Sequence, residues 1–137
     1  MTFEIIEPPK SKPKIVIGDD EVVMSTTKGR GMMSIRFGPK AIKRLGLGVG
    51  SVYVAMWGAG DDLGKLRIRS AGRGEAGWEL KNYKNRQYPE FCFSKLPAAY
   101  QGRTFKGNKL HAEFVTPQRE QAYVQFILPR DFFEEGA

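Results

Sequence analysis

The amino-acid sequence predicts a mainly β (α+β) protein assembled from two tandem ββαββ halves, the second diverged from the first. Residues 21–71 read as strand, basic turn, strand, short helix, strand, turn, strand, and residues 78–129 run through the same order again. Eight prolines and sixteen glycines lie among short β-rich runs, a composition that demands many turns. The 137-residue length suits one ordinary domain, able to bury a core without metal or disulfide staples.

Residues 1–14, with Pro8, Pro9 and Pro13 and no hydrophobic period, form a loosely held N-terminal arm. The first half spans 15–71. Gly18-Asp19-Asp20 is a turn composition, so Ile15–Ile17 and Glu21–Thr27 are expected to pair as an entry hairpin. Gly29-Arg30-Gly31 breaks the strand, and Met33, Ile35 and Phe37 then alternate with Ser34, Arg36 and Gly38, the pattern of a half-buried strand. At Gly38-Pro39 the period changes. Pro39 suits a first helical position, Ile42 and Leu45 stack three apart, and Gly46 stands where a left-handed helix end favours glycine, giving a helix of about two turns. Val52, Val54 and Met56 alternate with Tyr53 and Ala55, and after a turn at 58–64 Leu66 and Ile68 alternate with Lys65, Arg67 and Arg69, closing a second hairpin.

Residues 72–77 have linker composition. In the second half, 78–130, Trp78 and Leu80 open a strand that turns near Asn85-Arg86, and Phe91 and Phe93 lead to Pro97, placed as Pro39 is in the first half. Helical character fades between Gln101 and Asn108. Leu110, Ala112 and Phe114 alternate with His111, Glu113 and Val115, Pro117–Glu120 turn, and Tyr123–Leu128 return as an apolar strand. Residues 131–137 are a C-terminal tail.

The stretch from Met33 through Phe37-Gly38-Pro39, Leu45-Gly46-Leu47 and Gly50 to Val54 resembles the AbrB/MazE type of swapped-hairpin DNA-binding domain: a strand, a proline-started helix ending in Leu-Gly-Leu, a glycine turn and a β-hairpin. The likeness covers about fifty residues well and the following fifty as a pattern. In that family two chains interleave hairpins into one barrel, and basic residues at and beside the first β-turn contact DNA. The resemblance therefore implies an AbrB-like barrel folded as a single-chain pseudo-dimer, with Lys28, Arg30 and Arg36 at the DNA. Both halves on one chain depart from the family pattern, so the two faces need not be chemically equal.

Charge points the same way independently. Up to residue 71 there are twelve Lys and Arg against seven Asp and Glu, and beyond it ten against eight. Between 28 and 44 stand Lys28, Arg30, Arg36, Lys40, Lys43 and Arg44 with no acid, while 81–109 holds Lys84 and Arg86 among seven cations against Glu90 alone. If the repeat holds, the turns at Lys28–Gly31 and Lys84–Gln87 emerge side by side and their cations span duplex phosphates, contacts that give affinity and position rather than sequence choice. A solvated basic surface has the same composition. Tyr83, Tyr88, Tyr100 and Phe105 interleave with the second cluster, either as a stacking surface for single-stranded bases or as strand and core residues.

Catalysis is disfavoured. The sole histidine, His111, lies on the polar face of a strand, and the sole cysteine, Cys92, lies in the alternating run Phe91–Ser94, which suits a structural thiol in a reducing compartment. Asp19-Asp20-Glu21 and Asp61-Asp62 fall in turns, where Asp bonds the backbone. Gly46, Gly48 and Gly50 follow a helix and precede a strand, the reverse of a phosphate loop, and no cofactor is implied.

Without an apolar leader or span, the chain reads as cytoplasmic with no membrane partner. The leading expectation is a small DNA-binding transcription regulator, as a monomeric pseudo-dimer or a homodimer. The alternative is a protein-binding adaptor or inhibitor of phage or plasmid type that engages a host protein complex through a strand edge or the Trp57–Asp62 loop. An antitoxin, using Phe132, Phe133, Glu134, Glu135 and the arm, is a third reading.

Overall fold

The computed structural model describes residues 17–27, 32–82, 88–101 and 108–129, and these form two antiparallel sheets. In chain order the elements are β1 Val22–Thr27, β2 Met32–Phe37, α1 Pro39–Arg44, β3 Val52–Trp57, β4 Lys65–Ser70, β5 Trp78–Glu79, β6 Glu90–Phe93, β7 Asn108–Lys109, β8 His111–Val115 and β9 Tyr123–Ile127, with single 3₁₀ turns at Gly60–Asp62 and Ala98–Tyr100. The first sheet has the order β6-β2-β1-β7 and the second β5-β3-β4-β9-β8. No closed barrel is seen in this pairing.

The two hairpins of residues 17–71 lie in different sheets, and strands of residues 78–129 complete both. β2 pairs with β6, Ile35 facing Phe91, and β4 pairs with β9, Leu66 facing Phe126. β1 pairs with β7 through Val23 and Lys109, while β5 pairs with β3 through Glu79 and Val52. Two segments turn the corner between the sheets. Residues 78–79 bond β3, and two residues later Lys81 bridges Glu90 of β6. Residues 108–109 bond β1, and His111 onward bonds β9.

Alternation places Met24, Met33, Ile35 and Phe37 of the first sheet and Leu66, Ile68 and Phe126 of the second in one fully buried core. β6 is its hub. The Phe91 ring meets Phe37 and Tyr53 edge-on at 5.7 and 5.6 Å, and Phe93 meets Trp57 and Trp78, each at 5.3 Å. Tyr100 closes one end. Its hydroxyl donates to Gly58 O at 2.6 Å and accepts from Gly64 N at 3.0 Å, so the 3₁₀ turn of the second half clamps the β3–β4 turn of the first. Tyr100 is thus a core residue, not a surface for stacking bases, and burial pushes its hydroxyl pKa up.

The structure chooses which side of β3 turns inward. The residues facing the core are Tyr53, Ala55 and Trp57, whereas Val52 and Met56 are exposed and Val54 shares their side. Aromatic bulk outweighs aliphatic branching for the inner face, and alternation cannot choose a side where both are apolar. Asp19 and Asp20 do turn the chain, Glu21 N donating to Gly18 O at 3.0 Å, but residues 15 and 16 of the expected entry hairpin lie outside the described residues.

Helix α1 starts at Pro39 without a side-chain cap. Its first amides are met by a backbone carbonyl instead: Lys40 N and Ala41 N both donate to Asp19 O, at 2.7 and 3.0 Å. Gly46, at φ 66°, ends the helix in the left-handed region, with Leu47 N donating to Ile42 O at 3.0 Å. Gly38 is where the helix meets the Gly18–Glu21 turn. A β-carbon there would lie 2.2 Å from Gly18 O and 2.4 Å from Asp19 O. Gly38→Ala is therefore expected to separate turn from helix and cost about 1–3 kcal/mol, read as a lower midpoint in urea unfolding.

Candidate nucleic-acid interface

Eight cations carry the sequence-based expectation, and the structure divides them. Lys28, Arg30, Lys84 and Arg86 lie outside the described residues. The stems that lead to them are described. Because β2 and β6 run antiparallel, the Thr27/Met32 stem lies at one end of their ladder and the Lys81/Glu90 stem at the other. At about 3.4 Å per residue the four positions from Met32 to Arg36 set the two stems roughly 14 Å apart, while the turns expected to emerge side by side lie outside the described residues.

Arg36 and Arg44 serve the fold. Arg36 stands directly opposite Glu90, its Nε donating to Oε2 at 3.2 Å, and the Glu90 side chain is only 1 % exposed. Arg44 donates from Nε to Asp20 at 2.7 Å and from Nη1 to the Ala112 carbonyl at 2.6 Å, tying helix α1 to the Asp19–Asp20 turn and to β8.

Lys40 and Lys43 remain exposed on α1, and their ammonium groups bond no described residue. Lys43 borders a concavity of about 430 Å³ floored by Ile17, Pro39, Ile42, Tyr88 and Pro89. Tyr88, whose hydroxyl accepts a hydrogen bond from Ile17 N at 3.1 Å, belongs to the stem of the second basic turn. The helix cations of one half therefore lie beside the hairpin of the other. At the opposite end exposed Lys95 follows Phe93, the partner of Met33 near the first stem. Sequence alone grouped these cations by half, whereas the fold groups them across halves.

A further row of cations had only an alternation to announce it. Lys65, Arg67 and Arg69 share the outward face of β4, between outward Met56 of β3 and Gln125 of β9. The Arg67 guanidinium lies 4.6 Å from the centroid of the Tyr123 ring and donates from Nε to Gln125 Oε1 at 2.9 Å; among the described residues no carboxylate pairs with it. Its neighbours do hold carboxylates, Lys65 with Asp62 at 3.1 Å and Arg69 with Glu75 through two bonds of 2.8 and 2.7 Å. The Lys-Leu-Arg-Ile-Arg alternation was the signal available for this row.

Glu75 also accepts from Gly72 N, so the expected linker is pinned along the sheet. The Arg69 bond, then the Gly72 amide, hold its carboxyl well below the ordinary range, at about 2, and Arg69 is raised in return. At the other corner the Lys109 ammonium, 2.6 Å from Glu21, and then the Gly18 amide hold Glu21 below its usual value. His111 is exposed on the outer face of β8, 4.0 Å from Glu113.

Among the described residues no helix is long and apolar enough to cross a membrane. Compared with protein-family models, curated proteins and solved structures, the chain matches none.

Two outcomes test these assignments. Arg36→Met is expected to leave the buried Glu90 carboxylate without its guanidinium and cost roughly 3 kcal/mol, while Arg36→Met with Glu90→Leu restores part of that loss, both read from denaturant unfolding. Carboxyl NMR should place the Glu75 titration near 2. A depressed pKa keeps the Arg69–Glu75 tie intact through the ordinary carboxylate range and releases it only as pH falls through that midpoint; in Arg69→Ala the midpoint rises toward the ordinary range, the Gly72 amide still holding it below.

Proposed function

We propose that this chain is a small non-enzymatic DNA-binding regulator, built as a single-chain pseudo-dimer of the AbrB/MazE swapped-hairpin type. One observation carries the reading: the strand pairing is reciprocal between halves. β2 meets β6 and β4 meets β9, equivalent strands in each case, and the β1–β7 pair has its counterpart in β5–β3. Exchanging the halves maps this pattern onto itself, as two interleaved chains of the family would. The corner segments at 78–81 and 108–115 supply the continuity that a barrel of this type needs.

On this reading Lys28, Arg30, Lys84 and Arg86 contact the phosphates, helped by exposed Lys95 beside the Thr27/Met32 stem and by Lys43 beside Tyr88. Arg36 and Arg44 hold the scaffold. The net charge of +7 favours approach to a polyanion and gives no sequence choice. No enzymatic role is included, and cytoplasmic location follows from the same regulator reading.

Anisotropy titration against random duplex DNA at several salt concentrations tests the assignment. Replacing Lys28, Arg30, Lys84 and Arg86 by Ala is expected to make the slope of log affinity against log salt shallower by about three to four, near 0.9 for each lost phosphate contact. An unchanged slope would sink it.

A further inference from the structure

Strand β3, Val-Tyr-Val-Ala-Met-Trp, is apolar on both faces, the composition of a strand covered on both sides. Its inner face packs into the core. On the outer side Val52 and Met56 are each 38 % exposed, and Ile127, on the same face two strands away, is 37 % exposed. The second sheet thus turns an apolar flank to solvent beside the Lys65–Arg67–Arg69 row.

Arg67 lies at the middle of this face and is set up for a ligand. Stacking on Tyr123 and the bond to Gln125 fix its side chain, while its terminal NH groups bond no described residue. Concavities lie on both sides of it along β4. One of about 180 Å³ is bordered by Met56, Trp57 and Lys65, and one of about 320 Å³ by Met56, Arg69, Gln121 and Tyr123. The cations flanking Arg67 already hold carboxylates of adjacent turns, Asp62 and Glu75, so that of this β4 row Arg67 is the cation without a carboxylate among the described residues.

Charge selects the occupant. Glu79 and Glu113 stand on the outward side of the strands to left and right, and Glu120 borders the larger concavity. With Asp62 and Glu75 added, carboxylates outnumber the three cations, so the surroundings repel a polyanion while the centre attracts a single acid. A second copy laid face to face with the two Arg67 side chains at the centre would set guanidinium against guanidinium and the surrounding carboxylates against one another. A ligand with one carboxylate between apolar groups meets neither obstacle.

We propose that the outward face of the second sheet docks an extended segment of a partner protein in which an acidic residue is flanked two positions away on each side by apolar residues. The carboxylate pairs with Arg67 in a two-pronged bond. Residues two positions along an extended chain lie on the same side about 6.8 Å away, which brings both apolar side chains over the two concavities and against Met56. Arg, Tyr and Met are the residue types enriched at the centres of protein interfaces, and the fixed guanidinium lowers the ordering cost of binding. This surface is separate from the hairpin ends proposed for DNA.

Fluorescence anisotropy with the full chain tests the proposal. The probes are end-blocked, fluorescein-labelled peptides of pattern apolar-Ser-Glu-Ser-apolar, with Leu, Val, Met or Phe as the apolar residue, each matched by peptides carrying Gln or Lys for Glu, and an oligodeoxythymidine. A Glu peptide is expected to bind about tenfold or more tightly than its Gln counterpart, with the same loss in Arg67→Gln. Arg67→Glu should bind the Lys peptide instead, a rescue that misfolding cannot produce, and Met56→Lys, at an exposed position, should weaken the Glu peptide independently. Binding of duplex DNA should be unaltered in Arg67→Gln, which distinguishes failure here from failure of the regulator reading. The proposal is overturned if no Glu peptide binds at millimolar concentration, if binding ignores Arg67 and Met56, or if the oligodeoxythymidine alone binds in an Arg67-dependent way.

Discussion

Each hairpin of the first half leaves unpaired backbone groups along its outer strand, and in this fold those groups are met by a strand from the other half. β2 and β4 would be edge strands if residues 17–71 stood alone; β6 and β9 make them interior. The core follows from the same exchange, since Phe91 and Phe93 on β6 touch Phe37 of the first sheet and Tyr53 and Trp57 of the second. Removing that strand would open a sheet and a core together. Mutual completion of the halves is the constraint on which the rest of the arrangement depends.

Much of the surface chemistry is a consequence. Pairing β2 with β6 puts Arg36 opposite Glu90, so a cation that a sequence reading would assign to DNA neutralises a buried acid. Arg44 is likewise drawn between the Asp19–Asp20 turn and the Ala112 carbonyl. The Lys40 and Lys43 ammonium groups on the helix bond no described residue, and Arg67 on β4 bonds Gln125 of β9 but no carboxylate among the described residues. They fall on different parts of the molecule, which is why one basic protein supports two separate binding proposals.

Local signals were legible where one residue type has one physical use. Pro39 opens the helix and Gly46 closes it at positive φ, as expected of a ring-locked φ and a missing β-carbon. The alternation of Met33, Ile35 and Phe37 gave a strand with the correct side buried. In β3 alternation could choose no side, because every residue from Val52 to Trp57 is apolar or aromatic, and the structure turns Tyr53, Ala55 and Trp57 inward. Tyr100 could be read as a stacking ring, though a core residue was the more frequent use of such an aromatic, and the carbonyl and amide of a turn some forty positions earlier hold it in the core. Of the candidate site, the type and number of cations were legible, and their grouping was not: Lys43 meets Tyr88 only because the helix of one half packs beside the hairpin stem of the other.

The sequence by itself determined a β-rich chain of two similar halves, the helix at Pro39, the turns and a surplus of positive charge, since each of these depends on neighbours in the chain. Tertiary structure alone decided that the halves complete each other's sheets, that the Thr27/Met32 and Lys81/Glu90 stems stand at opposite ends of a ladder, and which described cations remain open to a ligand. Those outcomes depend on which strands pair and in which direction. Pairing depends on groups far apart in sequence, and no local pattern encodes it.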